Sequence, residues 1–148
     1  MEIKIETRRF DFPKLVLAHG WVFLSPFEWH DEDRILCRPL RLQDGRCITV
    51  QIRVGSQRGS SVVKIASSHH LHPVERQNLR SQTKRMLCLE QDFSEFHSLC
   101  RNDPILGFVS RVKCGGLLRS PTAFEDLVKT VCTTNCDWRN TKKMCEAL

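Results

Sequence analysis

Eight cysteines, at positions 37, 47, 88, 100, 114, 132, 136 and 145, and the run His69-His70-Leu71-His72 are the side chains best suited to chemistry in this 148-residue chain. Thiolates and imidazoles hold zinc when four converge, and paired thiols carry redox chemistry when they stand as Cys-x-x-Cys. No Cys-x-x-Cys occurs, and Cys132, Cys136 and Cys145 find no fourth ligand at zinc spacing. A polar turn ahead of a helix accounts for the three histidines without a metal. The expectation is no metal and no cofactor, with the cysteines acting as small reduced hydrophobes. A metal-binding regulator built on His69, His70 and His72 is the outlying alternative.

Cations are the next group. The chain carries 23 Lys+Arg against 17 Asp+Glu, a formal charge of +6, and residues 1–72 and 73–148 contribute +3 each. No basic tail concentrates the charge, so any attraction to phosphate is distributed. Arg76, Arg80 and Lys84 form a stripe at i, i+4, i+8, for which a solvated helix face is the plainer reading. Arg139, Lys142 and Lys143 lie close together near the end of the chain.

Positioning these groups requires a mixed architecture. With 41% hydrophobic and 27% charged residues, the chain has enough apolar material for a core, which argues against disorder, collagen and coiled coil. No apolar run approaches the roughly 20 residues of a membrane span, and the start lacks the build of a secretion signal. A non-secreted protein of the cytoplasm, nucleoid or nucleus is expected.

Residues 1–70 read as an antiparallel sheet. Ile3 and Ile5 alternate with charges, and residues 15–24 read as a second strand interrupted at His19-Gly20. Residues 34–42 and 46–54 flank Asp44-Gly45, a dipeptide suited to a tight hairpin. In the second arm Ile48, Val50, Ile52 and Val54 share one face. Residues 55–61 read as a polar loop, and residues 62–66 as a last strand.

Residues 71–148 read as helices. Pro73 suits the first turn of a helix running to about Cys88, with Val74, Leu79, Met86 and Leu87 as its apolar side. Asp92-Phe93-Ser94-Glu95 and Asp103-Pro104 each suggest a helix start. The pair Ser120-Pro121 and Thr122-x-x-Glu125 caps a helix whose Phe124, Leu127, Val128, Val131 and Cys132 mark it as a core helix, while Asp126 has no visible partner. After the polar turn Thr133-Thr134-Asn135-Cys136, Asp137 caps a helix with Trp138, Thr141, Cys145 and Leu148 on one face. That last helix still displays apolar residues at Leu148, so the chain is expected to stop inside a domain.

The stretch G-G-L-L-R-S-P-T-A-F-E-D-L-V-K-T-V-C-T-T-N-C-D-W at 115–138, preceded by a strand-rich half and a run of helices, resembles the helix-hairpin-helix superfamily of DNA glycosylases. The likeness is best over 117–144 and points to the 8-oxoguanine and 3-methyladenine branches. It implies an α+β fold: an antiparallel β-sheet domain (1–70) like the TATA-binding protein, then the first helices (71–148) of an incomplete glycosylase domain, cut before the helix-hairpin-helix. It also implies that Asn135, in a turn with Thr134, enters the duplex and fills the space left by an extruded base. Cys136 stands where the 8-oxoguanine branch often has a polar residue, and Asn140 where it has an arginine facing the estranged base. Arg139, Lys142 and Lys143 reach phosphates in this picture. An ordinary helical hairpin with a solvated basic face is the competing account.

The resemblance implies a base-excision-repair glycosylase acting as a monomer on double-stranded DNA that contains a damaged base. Its catalytic aspartate and, where present, nucleophilic lysine would follow residue 148, so no catalytic residue is assigned and this chain alone is expected to be inactive. The alternative is a non-catalytic nucleic-acid-binding or interaction module on the same scaffold.

Overall fold

The computed structural model describes residues 1–57, 59–113 and 115–148; Arg58, within the expected loop at 55–61, and Cys114 lie outside the described residues, as does the side chain of Gln57. Five strands, β1 (Glu2–Thr7), β2 (Glu28–His30), β3 (Ile35–Arg41), β4 (Cys47–Gln57) and β5 (Ser60–Ala66), form one antiparallel sheet in the order β1-β5-β4-β3-β2. Alternation dictates which side is dry. Pairings Leu36↔Ile52, Ile52↔Ile65 and Ile3↔Ile65 put β-branched and leucine side chains in rows on one face. The opposite face carries exposed Lys4, Lys64, Arg53, Gln51 and Cys47.

The hairpin at Asp44-Gly45 forms as its residues suggest. Gly45 has φ +90, and Asp44 Oδ1 accepts from the Arg46 backbone N–H at 3.1 Å. The next connection differs from the expected polar loop, because β4 continues to Gln57 and β5 begins at Ser60, with Gln57 opposite Ser60. A long β-hairpin there satisfies backbone groups that a loop would leave to water.

The expected strand at 15–24 is instead helix α1 (Phe12–Leu17) followed by a 3-10 turn at Trp21–Phe23. Asp11 Oδ1 caps α1 by accepting from Lys14 N at 3.1 Å, and Pro13 preorganises its first turn. Phe12, Leu15 and Val16 are buried at i, i+3, i+4, so an apolar run that reads equally as strand or helix is decided by its cap. Gly20, at φ +80, then turns the chain.

Helix α2 (Pro73–Met86) starts where Glu75 Oε2 accepts from the backbone N–H of His72 at 2.7 Å. Its Leu79 and Met86, with Leu87, Leu71 and Leu118, join the residues of the sheet's dry face and Phe12, Leu15 and Val16 in one buried cluster. Each such side chain contributes about 1.5–3 kcal/mol on burial. Val74, expected on that face, points to solvent.

Two short helices, α3 (Ser94–Cys100) and α4 (Gly107–Val112), pack on each other. Asp92 Oδ1 accepts from Ser94 N, and that bond together with Arg8 draws its carboxyl down to about 2. Asp103 does not open α4 directly as expected. Its Oδ1 accepts from Ile105 and Leu106 N–H groups, making a turn that delays the helix to Gly107. Helices α5 (Ala123–Cys132) and α6 (Trp138–Ala147) complete the described structure, which contains no helix long and apolar enough to cross a membrane.

Candidate nucleic-acid interface

Helix α5 begins at Thr122, whose Oγ1 accepts from Glu125 N at 3.2 Å. The reciprocal half of a capping box is absent, because the Glu125 carboxylate is used elsewhere. It receives Arg38 Nη2 at 3.0 Å and Nη1 at 3.3 Å, and lies 2.8 Å from Lys129 Nζ, one turn along α5. Arg38 and Lys129 are each only 3% exposed. Both cations lie over the Phe27 ring, at 4.4 and 4.7 Å from its centroid. Lys129 Nζ is held by charge and by the ring, since its approach to Glu125 lacks hydrogen-bond alignment.

Burial alone would raise the Glu125 carboxyl, but the hydrogen bonds and charge of Arg38, with the charge of Lys129, outweigh it and hold it below its usual range. Burial lowers the Lys129 ammonium despite the carboxylate beside it, and the Arg38 charge adds to that effect.

The neighbouring carboxylate is equally engaged. Asp126 accepts from Ser120 N at 2.7 Å, Trp21 Nε1 at 3.2 Å and Arg85 Nη2 at 2.8 Å. The expectation that it lacks a partner is corrected, because the 3-10 turn, α2 and the 120 loop are brought together only by folding. Helix α5 is therefore keyed to the sheet and to α2 by two adjacent carboxylates. Three of the five expected core residues face the other way, Phe124 being 75% exposed, Leu127 60% and Val131 61%, while Val128 and Cys132 are half-buried. The expected core helix thus turns most of its apolar stripe to solvent and buries Lys129 instead. Its 3.6-residue period is present, but the polar partners Arg38, Arg85 and Trp21 choose the inward face.

Beyond Cys132 the chain makes a tight turn whose hydroxyls are consumed internally. Thr133 Oγ1 donates to Thr130 O at 2.6 Å and Thr134 Oγ1 to Val131 O at 2.7 Å. Buried Thr141 of α6 places its Oγ1 3.1 Å from Cys132 O and 3.1 Å from Asp137 O, tying the two helices together. Cys136 Sγ also reaches Cys132 O, at 2.9 Å. Asp137 caps α6 by accepting from Asn140 N at 2.7 Å.

Asn135 stands in this turn at φ +52, a left-handed conformation that asparagine tolerates better than most residues. Its side chain is exposed and, among the described residues, makes no hydrogen bond. Of the other residues expected at the site, Thr134 is tied to its own backbone, and the Asn140 amide lies 3.4 Å from Asp137 Oδ2. Arg139 and Lys143 are exposed and Lys142 half-buried, and none has an ion-pair partner among the described residues. The stripe on α2 is less available: Arg76 Nε donates to Leu71 O, Arg80 to Lys4 O, and Lys84 pairs with Glu90.

The cysteines make no disulfide among the described residues, where Cys37, Cys88, Cys100 and Cys145 are buried and Cys47 is exposed. Burial raises the Cys145 thiol, with Cys132 adding to the effect, and thus disfavours its nucleophilic form. His72 opens α2, and His69 N–H donates to Ser67 Oγ at 3.1 Å. Among the described residues no three His, Cys, Asp or Glu side chains are grouped to hold a metal ion.

Arg38, Glu125 and Lys129 are not legible as a unit in the sequence. The only local signal is Glu125 and Lys129 at i, i+4, a spacing common on solvated helices. What the fold assembles is a rigid turn between two helices, with one uncommitted amide and three unpaired cations close by in the chain. Comparisons of the chain with protein-family models, with curated proteins and with solved structures find no match.

Proposed function

We propose that this chain is the N-terminal portion of a helix-hairpin-helix superfamily DNA glycosylase, with a sheet domain of the TATA-binding-protein type and the α5–α6 hairpin as its lesion-probing element. The observation that carries this reading is the Asn135 turn. Its threonine hydroxyls are tied off and its ends clamped by Thr141, leaving the Asn135 amide free to enter a duplex and hydrogen-bond an orphaned base. Unpaired Arg139, Lys142 and Lys143 supply phosphate contacts close to it in the chain.

A non-catalytic binding role for this segment draws support from one feature. Asp126 and Lys129, the carboxylate and amine nearest the hairpin in α5, are spent on structural partners and cannot serve as base or nucleophile in this arrangement. The chain is therefore expected to bind DNA without cleaving it.

Affinity for an abasic-site duplex against an intact duplex, measured at fixed salt, tests the reading. Asn135→Gly retains the left-handed turn while deleting the amide, and is expected to abolish abasic preference. Equal affinities in the unsubstituted chain would sink the proposal. Strand release from an 8-oxoguanine, hypoxanthine or alkylated-purine duplex would overturn the binding-only assignment.

A further inference from the structure

An aromatic ledge lies beside the N-terminus of α6. Gly20 lets the 3-10 turn and α6 meet closely: a Cβ at Gly20 would be 3.4 Å from the Trp138 ring and 3.9 Å from the Phe23 ring. Despite that convergence the rings are not covered, Phe23 being 57% exposed and Trp138 41%. His19, also exposed, stacks on Trp21 at 5.4 Å between centroids and 12° between planes. The Trp21 indole N–H is fixed by Asp126, so the stack is tied to the foot of α5. Two chain segments, residues 19–23 and the start of α6, thus present aromatic surface to solvent around one glycine.

Neighbouring charge indicates what would cover it. Trp138 opens α6 three residues after Asn135, and Lys142 lies one turn beyond Trp138 on the same side of the helix. Arg139 follows Trp138 directly, and neither cation has an ion-pair partner among the described residues. The nearby carboxylates are committed: Asp137 caps α6, and Asp126 is held by Arg85, Trp21 and Ser120. Flat apolar rings bordered by free cations match bases joined to phosphates, because every base offers a π-face and every linkage an anion.

We infer that Phe23, Trp138 and His19 form a stacking platform for unpaired bases of a nucleic-acid strand, next to the Asn135 turn. The inference deepens the DNA-binding reading and rests on it: bases unstacked at a lesion would pass from the duplex onto this ledge. The probes are an oligothymidylate, a duplex with a thymine bulge and the same duplex fully paired. The unsubstituted chain should bind the bulged duplex more tightly than the paired one. Phe23→Ala should weaken binding to the bulged duplex and oligothymidylate by about tenfold while leaving the paired duplex within about twofold.

Trp138→Phe, which keeps a ring against Gly20, should retain most affinity for unpaired bases, whereas Trp138→Leu should not. Circular dichroism of each variant separates lost stacking from lost fold. Unchanged bulge affinity in Phe23→Ala overturns the platform, as does an equal loss on paired and bulged DNA. If Asn135→Gly still lowers abasic-site preference in that case, the probing turn stands and only the ledge fails. No DNA binding by the folded chain would overturn both.

Discussion

Arg38 Nη2 donates to Glu125 Oε2 at 3.0 Å, across 87 positions of sequence, from the dry face of β3 to the first turn of α5. The carboxylate also serves Lys129, so two buried cations share one anion. Charges in such a setting are costly unless paired, and the two ways of disturbing the set have opposite expected signs.

Glu125→Gln leaves Arg38 and Lys129 buried without a counter-charge and should destabilise the fold by about 3–5 kcal/mol. Lys129→Met removes the surplus cation, keeps the Arg38–Glu125 pair and should be neutral or stabilising. Urea unfolding of the two variants checks the asymmetry; equal losses would show that Lys129 is not a buried excess charge.

Stability should also depend on pH at both ends. Glu125 is held below its ordinary 4.5, so its contribution is complete above 4.5 and disappears as pH falls through its lower folded value. Lys129 is held below 10.5, so the folded state sheds a proton that the unfolded chain keeps, and stability gains as pH rises from the folded value toward 10.5. Thermal midpoints across pH should show the acid loss diminished in Glu125→Gln and the alkaline gain absent in Lys129→Met.

Asp126→Ala strips the partner from Ser120 N, the Trp21 indole and Arg85 at once. A loss of about 2–4 kcal/mol is expected from these unsatisfied groups. Trp21 emission should shift to longer wavelength as the ring loosens. Asp126→Asn, retaining an acceptor for two of the three donors, should lose less than half as much.

Gly20→Ala places a Cβ at φ +80 and 3.4 Å from Trp138. The left-handed backbone alone should cost about 1–2 kcal/mol. Chemical denaturation measures it, and the indole contact predicts an altered near-ultraviolet spectrum in the same variant. Gly59→Ala, also at positive φ but with open space around it, should show no such spectral change.

The elements legible in the sequence are those whose determinants are local. The β3–β4 hairpin follows from Asp44-Gly45 and a period of two, α2 from Pro73, and the α5–α6 turn from the caps Thr122 and Asp137. Residues 15–24 were not legible as helix from their apolar run, because Asp11 and Pro13, which decide the matter, lie outside it.

The sequence by itself determined an α+β chain with a half-buried antiparallel sheet, capped helices and a polar turn carrying Asn135. Tertiary structure decided which face of α5 turns inward. Helical periodicity specifies a stripe but not the neighbour that receives it. That choice rests on Arg38, Arg85 and Trp21, which lie between 41 and 105 positions away from the carboxylates they meet. Pairing energies at such separations exist only once the chain has folded, which is why Lys129 is buried while Phe124 faces solvent.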